Sequence, residues 1–247
     1  MPLDWLTARP IAHRGLHDAA AGIIENTAGA FSAAIAAGYA IECDVQVSAD
    51  GEAMVHHDDA LGRLTEGSGR LADLSAARLK ALRFKQGSGR MLTLDELCAL
   101  IAGRVTLVIE IKSRFDGDQR LAERVAKVLA GYRGPAAAMS FDPMVVGTLR
   151  RIAPDLIRGI VAERHYAHHE WDRMSNAQKR RLAFLLHAPE TRPHFVAYGI
   201  RDLPALAPWV ARKLFGLPVL TWTVRSAAER ARAAAFADQI IFDGWRP

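Results

Sequence analysis

Glu42 and Asp44, in Ala40-Ile41-Glu42-Cys43-Asp44-Val45, and Glu110, in Leu107-Val108-Ile109-Glu110-Ile111-Lys112, set carboxylates into otherwise apolar stretches. Side chains alternate faces along a strand, so Glu42 and Asp44 share one face while Ile41, Cys43 and Val45 share the other. Glu110 and Lys112 pair up in the same way. A carboxylate in an apolar strand is costly unless a cation compensates it. Three of them converging at one place therefore point to a divalent metal site, and an all-oxygen donor set favours Mg²⁺ or Ca²⁺ over zinc. Such an ion polarises a phosphoryl oxygen and neutralises developing charge. Lys112 is placed to hold a nonbridging phosphate oxygen, with an internal salt bridge to Glu110 as the alternative.

Two histidines end apolar runs. His13-Arg14-Gly15 offers an acid or base, a guanidinium that can clamp phosphate, and a glycine that allows close backbone approach. A structural imidazole is the ordinary alternative for His13. His57 closes Ala53-Met54-Val55-His56-His57-Asp58, where His56 and His57 point opposite ways and Asp58 is placed to fix an imidazole tautomer. Histidines on two strand ends suit displacement at phosphorus, one taking a proton from the nucleophile and one protonating the leaving alkoxide. Glu25, in Glu25-Asn26-Thr27 ahead of a helix over 28–37, either joins the metal's ligands or simply sits near the positive helix end. Phe141 and Trp222 either line the organic half of a pocket or belong to the core. His165-Tyr166-Ala167-His168-His169 has metal-like spacing but no strand context, and is expected at the surface.

These residues need a scaffold of strands. Apolar runs at 10–13, 39–47, 52–57, 105–111, 137–141, 158–162, 195–200, 219–224 and 239–242 alternate with amphipathic stretches, the sign of a parallel sheet with crossover helices. Thr93-Leu94-Asp95-Glu96 and Ser226-Ala227-Ala228-Glu229 both fit a capping box, and Asp142-Pro143 a cap followed by proline. Asp50-Gly51 signals a hairpin, so one strand beside it is an excursion. That leaves eight strands, and with 247 residues a closed (β/α)₈ barrel is favoured over an open doubly wound sheet. A single domain over 1–247 is expected, with 58–92 an insertion over one barrel end, holding a helix over 75–83. A second irregular region, 165–193, carries a helix over 176–186.

Composition narrows the class. Half of the residues are hydrophobic and 24% charged, ordinary for a globular chain. The net charge of +5 is a mild anion bias spread along helices, so no nucleic-acid partner is expected. Cys43 and Cys98 make no disulfide framework and suit a reducing compartment. No apolar run is long enough for a membrane span and the N-terminus does not read as a secretory signal, so a soluble, cytoplasmic protein is expected.

Taken in order, His13-Arg14-Gly15, Glu25-Asn26-Thr27, Glu42-Cys43-Asp44-Val45, Asp50-Gly51, Val55-His56-His57-Asp58, Glu110-Ile111-Lys112 and Trp222-Thr223-Val224 resemble the glycerophosphodiester phosphodiesterase family from residue 10 to the end. The resemblance implies a (β/α)₈ barrel with an insertion, His13 and His57 as acid-base pair, and Glu42, Asp44 and Glu110 as metal ligands. It implies Arg14 and Lys112 at phosphate, Glu25 as a further site residue, and a small-molecule partner: a glycerophosphodiester cleaved to glycerol 3-phosphate and an alcohol. Arg225 stands where many members have asparagine, and Phe242-Asp243-Gly244-Trp245 replaces a Thr-Asp-x-Pro ending. Both departures leave head-group selectivity open. A Schiff-base aldolase using Lys112 and a non-catalytic anion- or metal-binding barrel are the rival readings. Neither oligomeric state nor the choice between Mg²⁺ and Ca²⁺ has a sequence signal.

Overall fold

Short apolar runs, most of them buried on both faces, build ten strands in this computed structural model, which describes residues 3–87, 89–167, 171–172 and 174–247. They are β1 (Ile11–Ala12), β2 (Ala40–Val47), β3 (Ala53–Val55), β4 (Leu92–Thr93), β5 (Leu107–Ile111), β6 (Ala136–Ser140), β7 (Ile157–Ala162), β8 (Phe195–Gly199), β9 (Val219–Val224) and β10 (Gln239–Phe242). All but β3 and β4 pair in parallel, in the order β1-β2-β5-β6-β7-β8-β9-β10. The ring closes because the two-residue β1 pairs both β2 and β10. The expected eight-stranded barrel is therefore present.

Each strand separates two cores. One parity, including Ile11, Ala40, Val108, Met139, Val161, Phe195, Leu220 and Ile241, fills the barrel interior. The other, including Ile41, Cys43, Val45, Ile109 and Ile111, packs beneath the outer helices. Gly159 is required here, since a Cβ at that position would lie 2.3 Å from the Phe195 ring that fills the interior. The short helix Asp4–Thr7 closes the N-terminal end. Leu6 packs into the interior cluster, Trp5 O accepts from Thr106 Oγ1, and Thr7 O accepts from Gln239 Nε2. That leaves the C-terminal strand ends as the open mouth.

The hairpin signal at Asp50-Gly51 is real, and β3 is the excursion. Val45–Val47 at the end of β2 pair antiparallel with β3, which pairs in turn with β4. Sequence reading missed β4 because two residues leading into a helix carry no periodicity. Thr93 and Glu96 form the expected capping box, and Asp142 accepts from Met144 N ahead of Pro143. Ser226 is half of one: it accepts from Glu229 N, but the Glu229 carboxylate takes the Arg225 N–H instead of returning to Ser226.

The insertion carries the helix Ala76–Ala81 and a small core of its own, in which Met54, Leu61, Leu71, Leu79, Phe84 and Met91 pack with Ile24. In the second irregular region the helix ends at Ala183 rather than 186, and a short helix Ala188–Thr191 follows. Of the histidine-rich cluster there, His165 is exposed, while His168 and His169 lie outside the described residues. Tyr166 departs from the surface expectation. It is 3% exposed because its ring packs on Trp171 and Phe141.

Candidate active site

Strand parity brings the mouth together. The faces that bury Ala40, Val108 and Ile241 inside the barrel also carry Glu42 and Asp44, Glu110 and Lys112, and Asp243, one or two pleats further on. Glu42, Asp44 and Glu110 are all buried, each offering a carboxylate oxygen within 4.8 Å of the others. Register explains the meeting: Asp44 sits directly opposite Glu110 across the β2–β5 pair.

Cations and amides surround the trio. Lys112 Nζ lies 2.5 Å from Glu110 Oε1 and 2.8 Å from Asp44 Oδ1. Arg14 donates its backbone N–H to Glu42 Oε2 at 2.9 Å, and its Nε lies 3.2 Å from Asp44 Oδ2. Asn26 Nδ2 donates to Asp44 Oδ2 at 2.9 Å while its Oδ1 accepts from Asp44 N. Arg14 and Asn26 both have φ near +55°, an uncommon conformation for side-chain-bearing residues. A backbone hydrogen bond from Asn26 N to Arg14 O ties the two together. Gly15 follows at φ +79°, and a Cβ there would lie 2.8 Å from the backbone of Ala30. The chain thus passes close enough for Arg14 to reach the acids.

Burial comes first in the electrostatics. Burial, then the Asp44 and Glu110 charges, push the Glu42 carboxyl well above the usual carboxylate range. Its Oε1 is buried with no hydrogen-bond partner among the described residues. Burial opposes ionisation of Asp44 too, but Lys112 and then Arg14 outweigh it and hold Asp44 well below its ordinary value. The set fits a divalent cation: three carboxylates each offer an oxygen within 4.8 Å of the others, and the buried Glu42 Oε1 has no hydrogen-bond partner among the described residues.

Both predicted histidines lie close enough to Asp44 for their charges to act on it. His57 Nδ1 is 2.7 Å from Asp58 Oδ1, the orientation the sequence predicts. His56 is buried instead, its Nδ1 against Asp58 O. His13 Nδ1 faces Asp243 Oδ2 at 3.8 Å. Burial lowers the His13 pKa, and Asp243 offsets this only in part. Glu25 lies outside the acidic trio and is held by Arg14 Nη1 and Arg63 Nη2, each at 2.7 Å from its Oε1. Burial works against its ionisation, yet the Arg63 hydrogen bond and the Arg14 and Arg63 charges bring it down to about 2. Phe141 and Trp222 meet edge to face at 5.5 Å, and the Trp222 Nε1 is buried without a partner among the described residues.

Five residues at the mouth, Asn26, Arg63, His17, Arg225 and Asp243, escaped sequence reasoning as site members. Asn26 stood only as the neighbour of Glu25 ahead of a helix, and Arg63 lay in an insertion without local signal. His17 Nε2 lies 3.0 Å from Asp243 Oδ1, and Arg225 Nη2 lies 3.2 Å from Asp243 Oδ2. The signal for Asp243 was present: a carboxylate directly after the apolar run Ile240-Ile241-Phe242.

The model of the glycerophosphoryl diester phosphodiesterase family matches residues 13–244. A glycerophosphodiester phosphodiesterase of Caldanaerobacter subterraneus is 33% identical over 161 residues, covering 61% of this chain and 65% of that one. The human glycerophosphodiester phosphodiesterase 1 is 27% identical, over 64% of this chain and 50% of its own length. The matched segments thus span between half and two thirds of these relatives. Among solved structures, an Oleispira antarctica phosphodiesterase in complex with the product sn-glycerol-3-phosphate superposes with a TM-score of 0.76 at 21% identity, covering 96% of this chain and 94% of that one. A Thermotoga maritima glycerophosphodiester phosphodiesterase gives 0.70 at 23% identity, with coverages of 94% and 92%. At these identities the likeness is one of fold.

Proposed function

From membership of the glycerophosphoryl diester phosphodiesterase family, to which this chain belongs, we propose that it hydrolyses glycerophosphodiesters to glycerol 3-phosphate and an alcohol. The observation that carries this reading is the convergence of Glu42, Asp44 and Glu110 within 4.8 Å, with His57 set by Asp58 at 2.7 Å and His13 facing Asp243 at 3.8 Å.

Glu42, Asp44 and Glu110 would hold a divalent ion, Mg²⁺ or Ca²⁺, which when bound supplies Lewis-acid polarisation of a phosphoryl oxygen. Arg14 and Lys112 present fixed positive charge beside it, available to nonbridging oxygens as negative charge grows in the transition state. Lys112 is a poor Schiff-base nucleophile. Burial favours its neutral form, but Asp44 and Glu110 outweigh this and keep the ammonium protonated. The two imidazoles divide the proton work. His57, oriented by Asp58, and His13, facing Asp243, exchange duties as base to the nucleophile and acid to the leaving alkoxide. Phe141 and Trp222 form an apolar wall for the carbon skeleton. The nucleophile is water or the substrate's own adjacent hydroxyl. Turnover in ¹⁸O-labelled water, followed by ³¹P NMR for a cyclic phosphate, separates the two. Cys43 and Cys98 are unpaired and buried, which supports a reducing, cytoplasmic location.

The test is glycerol 3-phosphate release from a panel of glycerophosphodiesters, with and without chelator. His13→Asn and His57→Asn are each expected to lower kcat by about 10²–10⁴-fold, with a bell-shaped pH dependence in the parent. Turnover that survives both substitutions, or a parent inert on the whole panel with Mg²⁺ or Ca²⁺ present, overturns the proposal.

A further inference from the structure

The helix Leu206–Leu214, between β8 and β9 on the outside of the barrel, has its residue sizes inverted. Its buried positions are Pro208 and Ala211. Its outward face and the turn that follows expose Leu206 by 66%, Trp209 by 51%, Leu214 by 67% and Phe215 by 73%. A helix packed on a barrel normally buries its large apolar residues and exposes polar ones. Phe184 and Leu186, half or more exposed, extend the patch from the preceding irregular region.

Two clefts run through it. One of about 350 Å³ is walled by Leu206, Trp209 and Phe236. The other, of about 200 Å³, is walled by Phe184, Tyr198 and Leu206. They lie side by side, with Pro204, Ala205 and Leu206 lining both. Among the described residues, the charged ones lining the two clefts are Arg164, Arg212 and Lys213. Arg212 is tied to Asp238 at 2.7 Å, and Lys213 is exposed.

We propose that this face docks on the surface of a bilayer containing anionic phospholipids. Leu206, Trp209, Leu214 and Phe215 enter the head-group region, and Lys213 and Arg164 meet lipid phosphates. Apolar anchors of the Trp, Leu and Phe type beside basic residues are the composition of interfacial helices, and the chain's net charge of +5 favours the same surface. A second copy of the chain fits less well. A two-fold contact through this patch sets the same cations against themselves, whereas lipid phosphates neutralise them. The proposal is independent of the catalytic one, since the patch shares no residue with the acidic mouth.

The experiment is co-sedimentation of the full chain with vesicles of phosphatidylglycerol in phosphatidylcholine, and with phosphatidylcholine alone. Salt-sensitive binding to the anionic vesicles is expected. Lys213→Glu should weaken it by about fivefold or more, and Trp209→Ser with Phe215→Ser should abolish it. All three side chains are mostly exposed, so the variants should keep their circular dichroism and their turnover of soluble substrate. Absence of partitioning, or binding indifferent to these substitutions, overturns the proposal. So does a stable dimer by light scattering that Phe215→Ser dissociates, because the patch is then an interface between copies.

Discussion

Glu42 shows how a single side chain reports on what the site was built to hold. Its carboxyl is buried, one oxygen takes the Arg14 N–H, and the other has no partner among the described residues. Burial, then the Asp44 and Glu110 charges, favour its proton and push the carboxyl well above the usual carboxylate range. A divalent cation reverses that preference. Titration with Mg²⁺ or Ca²⁺ is therefore expected to raise Tm, by about 2.7 kcal/mol of stability at a hundredfold excess over Kd. Glu42→Gln keeps the shape and removes the charge, so its Tm in chelator should stay near that of the parent while the metal-induced rise disappears. A full metal response in Glu42→Gln, read by scanning calorimetry, would remove Glu42 from the ligand set. At this scale the sequence was legible wherever parity alone decides: Glu42, Asp44, Glu110 and Lys112 all follow from alternation. Asn26 and His17 were not, because their roles depend on loops whose path no periodicity encodes.

Elements were legible in proportion to their length and their caps. Thr93-Glu96 and Asp142-Pro143 marked helix starts correctly because the hydrogen bonds are local. The helix over 176–186 was read too long, since Phe184, Leu185 and Leu186 form the turn between it and the short helix Ala188–Thr191, with Leu185 at φ +55°. Between the two lies His187, 1% exposed, with both ring nitrogens unpartnered among the described residues. Burial, then the Arg181 charge, lowers its pKa to about 4. The sign follows from linkage. Below the unfolded value near 6.5, the unfolded chain binds a proton that the folded chain refuses, so stability falls as pH drops, until about 4. The expected loss is about 3 kcal/mol across that window. His187→Met should flatten the dependence of unfolding free energy on pH between 6.5 and 4. An unchanged slope in urea titrations at several pH values would show that His187 finds a partner for its proton.

At the scale of the whole molecule, closure was legible from counting: nine strand-like runs less one hairpin partner leave eight. What stayed hidden was how the hairpin and the insertion attach to the ring. The insertion has its own core, joined to the barrel through β3 and through Ile24. Across its rim, Arg63 reaches Glu25 and Asp58, with Nη2 at 2.7 Å from one and Nε at 2.6 Å from the other. Asp58 in turn holds His57. Residues 58–92 are thus proposed as a semi-independent lid whose Arg63 clasp helps set His57, the proposed acid-base histidine, while Lys80 and Arg90 tie the lid to Glu96 on its other side. Arg63 is 45% exposed, so its ion pairs should be worth no more than about 1 kcal/mol of global stability. Arg63→Met should then leave Tm nearly unchanged, speed amide exchange within 61–90, and leave β5 to β8 as protected as before. It should also lower kcat/KM by about tenfold, as His57 loses its braced Asp58. Exchange that rises equally in the barrel strands would mean that ring and insertion open as one cooperative unit. In that event the clasp secures the fold as a whole rather than the geometry of the site.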